Sequence, residues 1–232
     1  MDPTEFVMSL DVFAEVRRQP FHIIQAAVDN QWMFADGHMP SETFSEADPP
    51  ISLADVTDGI VIDGLLGQYN PSTQEITIFR KGIDHVAEIL KVSPEGLTQV
   101  VRIHEWAHAL LHLGLEKDDR MSVLRDESQW AERLTRLSIW FNGLEANLHE
   151  SLAQLLTREG LRWLREKATI LEAQAKIDRI QVVFEQLMRR APSAYQIDKY
   201  DGAPKGRIIG SVRLLKSGGL VGADAWDTVV RW

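Results

Sequence analysis

The chain has 232 residues, no cysteine and a net charge of −9. That length accommodates one domain with a sizeable core. The missing cysteines exclude disulfides, thiolate-ligated zinc and thiol catalysis, and the acidic balance argues against direct nucleic-acid binding.

No run of about 18 apolar residues occurs, so no membrane span is expected. The start, Met1-Asp2-Pro3-Thr4-Glu5, has neither a basic region nor an apolar signal core. A cytoplasmic protein is the resulting expectation.

In chain order, residues 4 to 29 carry apolar positions at helical spacing, and Pro20 is expected to divide them into two helices. Residues 35 to 52 hold Gly37, Pro40, Pro49 and Pro50 among acids and serines and read as a long loop. His38 lies there and reads as a solvated loop histidine. Residues 60 to 69 and 75 to 80 read as two strands joined by a turn at Asn70-Pro71-Ser72-Thr73. A short helix near 83 to 91 follows.

A helix over 94 to 113 has a strong start in Ser93-Pro94-Glu95: a capping hydroxyl, a proline in the first turn and an acid at the positive end of the dipole. Gly114 is its stop. Further helices are expected at 122 to 141, with Trp130, Leu134, Leu137 and Phe141 as the apolar stripe, at 144 to 158 and at 161 to 190, the last either continuous or broken. The last forty residues are Gly-rich with short apolar runs (Arg207-Ile208-Ile209, Val229-Val230) and read as short strands or a tail. These patterns predict an α+β fold, mainly helical, with a small sheet around residues 60 to 80 packed on the helix over 94 to 113. Three stretches are expected to form one compact unit: 1–56 with N-terminal helices and loop, 57–160 as the core, and 161–232 with the C-terminal helix and tail.

Residues 104 to 108 read His-Glu-Trp-Ala-His, an HExxH motif. Residues four apart share a helix face, so His104 and His108 can aim two imidazoles at one metal ion. Glu105 sits about 100° round the helix from His104 and about 60° from His108. It can reach a water on the metal without ligating the metal. A zinc ion held this way lowers the pKa of its water, and the glutamate takes the proton as the water attacks a carbonyl. The flanking Val100, Val101, Ile103, Ala109, Leu110 and Leu111 place the motif in an apolar stretch, where imidazoles and a carboxylate without partners are costly to bury.

Two histidines leave a catalytic zinc one protein ligand short. The position ten residues after the first histidine, used by metzincins, is Gly114, so that option fails. His112 lies about 80° from His104, too far round to share the ion, and reads as a supporting or packing residue. A glutamate on a later helix, as in gluzincins, is the remaining option. Glu127, Glu132, Glu145 and Glu150 are the candidates. Over 144 to 157, Leu144, Leu148, Leu152 and Leu155 form one apolar face. Glu150 lies opposite, with Ala146, Ala153 and Thr157 beside it. Small residues allow another helix to approach closely, so Glu150 is the first choice and Glu145, flanking the leucines, the second. His149 is placed to polarise a substrate carbonyl or stabilise an oxyanion, with a plain polar contact as its other reading. Tyr69, Tyr195 and Tyr200 are further candidates for that role.

The stretch Gly67-Gln68-Tyr69-Asn70, then Glu75-Ile76-Thr77-Ile78, then Val101 to His112 resembles the ImmA/IrrE-like metallopeptidases. Those proteins have a strand pair followed by an HExxHxxLH helix. The resemblance covers about residues 58 to 158. It implies zinc-dependent peptidase chemistry with one Zn2+ per chain, His104, His108 and Glu150 as ligands and Glu105 as general base. Glu150 opens a segment similar to the family's ExxAxxFA, with leucine for phenylalanine and Thr157 for the last alanine. The separation of His108 from Glu150 is longer than usual in the family, so an extra helix is expected between them. The resemblance also implies a protein or peptide substrate, such as a regulatory partner. Two other functions fit the residues: a metal-binding regulatory module that cleaves nothing, and a helical interaction protein without metal.

Overall fold

The computed structural model describes residues 20–51, 65–192 and 205–219. Helix α1 (Pro20–Ala27) begins at the expected breaker, Pro20. Residues 4–19 and 60–64, and with them part of the expected helix pair and first strand, lie outside the described residues, as do Tyr195, Tyr200 and Val229-Val230.

Two small sheets follow. Strands β1 (Trp32–Met33) and β5 (Leu115–Glu116) pair antiparallel. Strands β2 (Ser41–Ser45), β3 (Gly67–Asn70) and β4 (Glu75–Phe79) form a three-stranded sheet in the order β2-β4-β3. The hairpin β3–β4 is antiparallel, with Gly67 opposite Ile78 and Asn70 opposite Glu75. Its turn is held by Asn70, whose Oδ1 accepts from the N–H groups of Ser72 (2.9 Å) and Thr73 (3.3 Å). Ile76 and Ile78 alternate into the core, as period-2 burial requires.

Strand β2 corrects the expectation of an unbroken loop over 35 to 52. It runs parallel to β4, Ser41 opposite Glu75 and Ser45 opposite Phe79. The segment Ser-Glu-Thr-Phe-Ser has one apolar residue and no alternation, because its side chains are exposed or half-buried. A strand whose backbone is paired but whose faces are wet carries little hydropathy signal. His38 is not a free solvated side chain either: its ring stacks on Trp130, with centroids 4.2 Å apart.

Helix α2 (Arg80–Leu90) leads into the motif helix α3 (Pro94–Leu113). The Ser93 hydroxyl accepts from the Gly96 N–H at 2.9 Å, as its capping role predicts. Gly114 ends the helix for a different reason from a left-handed cap. Its φ is −62°, but a Cβ there would lie 2.4 Å from the Leu110 carbonyl oxygen, so only glycine tolerates the approach.

Between α3 and the helix that carries Glu150 lie β5, α4 (Lys117–Arg125), a 3-10 turn (Glu127–Gln129) and α5 (Trp130–Gly143). The single helix expected over 122 to 141 is thus broken at Asp126, whose side chain accepts from the Ser128 N–H and caps the turn. Helix α6 (Ala146–Lys167) and α7 (Leu171–Arg190) follow, and α8 (Lys205–Gly218) comes last among the described residues. Residues 207 to 209 therefore belong to a helix and not to a short strand. Ile209, Val212 and Leu215 are buried along it at helical spacing.

Helix α3 is the axis of the core. It packs against α1, α6, α7 and the hairpin strands, and all its residues from Gln99 to Leu113 are buried. Strand β2 also holds it: the Glu42 carboxylate accepts from Arg102 Nε at 2.6 Å and from the Trp106 indole N–H. Arg102 and Trp106 are four apart and share a face, so one carboxylate grips one side of the helix. No helix among the described residues is long and apolar enough to cross a membrane.

Candidate metal centre

The motif helix presents His104 and His108 one turn apart, and α6 brings Glu150 onto the same point. His104 Nε2 lies 3.0 Å from His108 Nε2, and each lies 3.2 Å from Glu150 Oε2. Bonds of about 2.0–2.1 Å at near-tetrahedral angles put neighbouring ligand atoms about 3.3 Å apart. The three donors already stand at that spacing. Two imidazole nitrogens and a carboxylate oxygen form a donor set of the borderline-soft type that suits zinc and its neighbours in the transition series. His104 and His108 are buried and Glu150 is nearly so. The group can hold a metal ion.

Burial alone would push the Glu150 carboxyl up, but His108 and His104 outweigh it. Their charge and hydrogen bonds hold Glu150 well below the usual carboxylate range. Glu145, the other candidate, is the exposed residue preceding the first turn of α6. Neither Glu145 nor the exposed Glu127 and Glu132 joins the cluster. Ser151, Gln154 and Thr157 are buried together with Leu148, Leu152 and Leu155, so α6 is enclosed on nearly all sides and not only on its leucine face.

Glu105 faces a cavity of about 260 Å³ that is also lined by Tyr69, His108, His149 and Glu150. Its carboxyl is pushed up to about 7, chiefly by burial; the His104 charge opposes the shift and Glu150 adds to it. The Tyr69 backbone N–H donates to it. Strand β3 touches the same carboxylate from a second position. A Cβ on Gly67 would meet Val101 Cγ1 at 2.7 Å and Glu105 Oε1 at 2.9 Å. Gly67 and the Tyr69 amide therefore set where the Glu105 carboxylate rests. These contacts were missed from sequence. The available signal was a glycine inside a strand pattern, which marks close approach by a neighbouring group. Gly67→Ala is expected to lower stability by about 1–3 kcal/mol through overpacking, while metal affinity stays unchanged. Denaturant titration and metal competition check the two parts separately.

The structure separates the remaining candidates. The Tyr69 hydroxyl and His112 Nδ1 are hydrogen-bonded at 2.8 Å, and His112 Nε2 is bonded to Ser138 Oγ at 2.9 Å. His112 is thus a strut between β3 and α5, and the Tyr69 hydroxyl is engaged there. Burial pushes the Tyr69 phenol up, so it stays protonated. His149 remains beside the centre. Its ring centroid is 5.2 Å from that of His108, and its Nδ1 is 3.5 Å from Glu150 Oε1 and makes no hydrogen bond among the described residues. Burial, then the His108 charge, lower its pKa to about 4, so it faces the cavity as neutral imidazole.

His112 gives a pH dependence whose sign is fixed. Burial, then the Lys216 charge, lower its pKa from 6.5 to about 4. Below pH 6.5 the unfolded chain takes up a proton that the folded chain refuses until about pH 4. Protons bound in the unfolded state exceed those in the folded state across that window, so stability falls with falling pH. The loss from this one group is about 3 kcal/mol. A His112→Gln variant should show a flatter stability curve between pH 6.5 and 4 in urea titrations. An unchanged slope would show that His112 is already protonated in the fold.

No family model, curated protein or solved structure matches the chain.

Proposed function

We propose that the protein is a zinc metallopeptidase of gluzincin type, related to the ImmA/IrrE-like enzymes it resembles, that hydrolyses a peptide bond in a specific protein substrate. One observation carries this reading: two histidines and a glutamate from two helices meet at ligand spacing, with the motif glutamate lining the same cavity. A zinc ion there would polarise a carbonyl and lower the pKa of a bound water.

The chain's own groups supply the rest. Glu105, held by Gly67 and the Tyr69 amide, accepts the proton of the attacking water as its oxygen bonds to the carbonyl carbon. It then returns that proton to the nitrogen as the C–N bond breaks. A carboxyl near 7 exchanges protons in both directions at neutral pH. His149 lines the same cavity as a neutral imidazole, beside the carbonyl that would be attacked. The family resemblance suggests cleavage of one protein partner, such as a regulatory protein, over general digestion.

The test begins with metal analysis of protein purified without chelator, where about one zinc per chain is expected. Lysate of the source organism is then incubated with the protein, with and without 1,10-phenanthroline, and new N-termini are compared. Cleavage that disappears with chelator and returns with zinc supports the reading. A chain that takes up no metal under zinc-replete conditions would refute it.

A further inference from the structure

The sheet β2-β4-β3 ends on one side in β2, and that edge is open among the described residues. Along β2 the ladder to β4 uses every second residue. The Ser41 N–H donates to the Gln74 carbonyl oxygen at 3.2 Å, and the parallel register carries Thr43 and Ser45 along in the same way. The backbone N–H and C=O groups of Glu42 and Phe44 therefore point away from β4. Among the described residues they make no other backbone hydrogen bond.

Open edges are ordinarily guarded by a lysine, a proline or a bulge. The five residues Ser-Glu-Thr-Phe-Ser contain no lysine and no proline, and their register with β4 runs without a bulge. An inward-pointing charge also deters pairing, because a new strand would bury it. Glu42 is such a charge, but it already has its counter-ion: its side chain is only 12% exposed and accepts from Arg102 Nε at 2.6 Å. Phe44 is 43% exposed. Its ring stands against two guanidinium groups, Arg80 at 5.2 Å and Arg102 at 5.8 Å.

The symmetry of these groups selects the occupant. About a two-fold axis through Thr43, an antiparallel pair sets Glu42 of one copy opposite Phe44 of the other. Each of these residues then donates its N–H and accepts at its C=O, so four hydrogen bonds close. An axis through Glu42 brings in Pro40, which has no N–H to give. An axis through Phe44 sets Glu42 opposite Glu46, two like charges. In the central register Thr43 meets its own copy on the wet face, a favourable cross-strand pair, and the two Phe44 rings become diagonal neighbours within reach of one another.

We propose that β2 pairs antiparallel with β2 of a second copy of this chain, about an axis through Thr43, joining two three-stranded sheets into one of six. The contact is small, a class that gives transient association. It lies behind the motif helix: Arg102 and Trp106, which hold Glu42, are about half a turn round from His104 and His108. The pairing therefore does not depend on the metal or on peptidase activity.

The test follows the full chain by sedimentation velocity up to about 1 mM, where a monomer–dimer equilibrium with Kd of about 10–300 µM is expected. Phe44→Lys puts a charge on the edge. Phe44→Pro removes one outward N–H and leaves the ladder to β4 untouched. Each should raise Kd at least about tenfold. Ile139→Lys, at an exposed apolar residue of α5, should leave Kd unchanged. Hydrogen exchange over β2 should slow with rising concentration in the wild type and not in the Phe44 variants. A chain that is still monomeric at the highest concentration overturns the proposal. So does a dimer whose Kd is unchanged in both folded Phe44 variants, or one that leaves exchange over β2 unchanged. A monomeric chain whose β2 amides are slowed by a synthetic peptide of residues 39–47 would show an edge that takes foreign strands, and would overturn the second copy as occupant.

Discussion

Glu105→Gln should retain the fold and the metal and lose peptide cleavage by about 10²–10⁴-fold, the range that a positioned general base contributes. Glutamine has nearly the shape of glutamate, so the contacts with Gly67 and the Tyr69 N–H survive in outline. The amide cannot accept a proton from water at neutral pH. It also removes a buried carboxyl, so the variant's folding stability should not fall. The measurement is threefold: melting temperature, zinc stoichiometry, and the rate at which a substrate identified in lysate is cut. Cleavage at the wild-type rate would show that another group takes the proton. Loss of zinc would show that Glu105 belongs to the ligand set and not beside it.

Glu150→Ala should lower zinc affinity by more than about 100-fold, beyond what loss of a supporting residue costs. Glu145→Ala should stay within about twofold, as surface substitutions usually do. The difference follows from placement. Glu150 Oε2 stands 3.2 Å from both histidine nitrogens, while Glu145 is exposed at the start of the same helix. Removing Glu150 also takes the counter-charge from His104 and His108 and leaves two buried imidazoles facing each other at 3.0 Å. Competition against a chromophoric chelator gives both affinities. The opposite ranking would mean that α6 turns its other side to the motif helix.

The motif helix was legible because its signals are local and agree. Cap, proline, periodic apolar residues and the HExxH spacing all fall within one twenty-residue segment. Glu150 was legible for a weaker reason, the small residues beside it. Strand β2 was not legible. Its stability comes from backbone pairing with β4, 34 residues away, and from the Glu42 contacts to Arg102 and Trp106, 60 and 64 residues away. The break at Asp126 was missed for the opposite reason: the apolar stripe continues across it, and the polar cap that interrupts the helix is one side chain. In α8, Gly206 and Gly210 hid a helix whose buried face, Ile209, Val212 and Leu215, is set by packing and not by propensity.

The enclosure of α3 bears on how genetic data from this protein should be read. Every position from Gln99 to Leu113 is buried, so a saturation screen will score nearly the whole segment as intolerant. Ile103, Ala107 and Leu111, which never meet a substrate, will look as essential as His104 and His108. Sequence intolerance here measures the demands of a crowded interior. The discriminating phenotype is a variant that accumulates to normal levels in the cell and binds metal but does no chemistry. Among the motif residues, only Glu105 has the placement to give it.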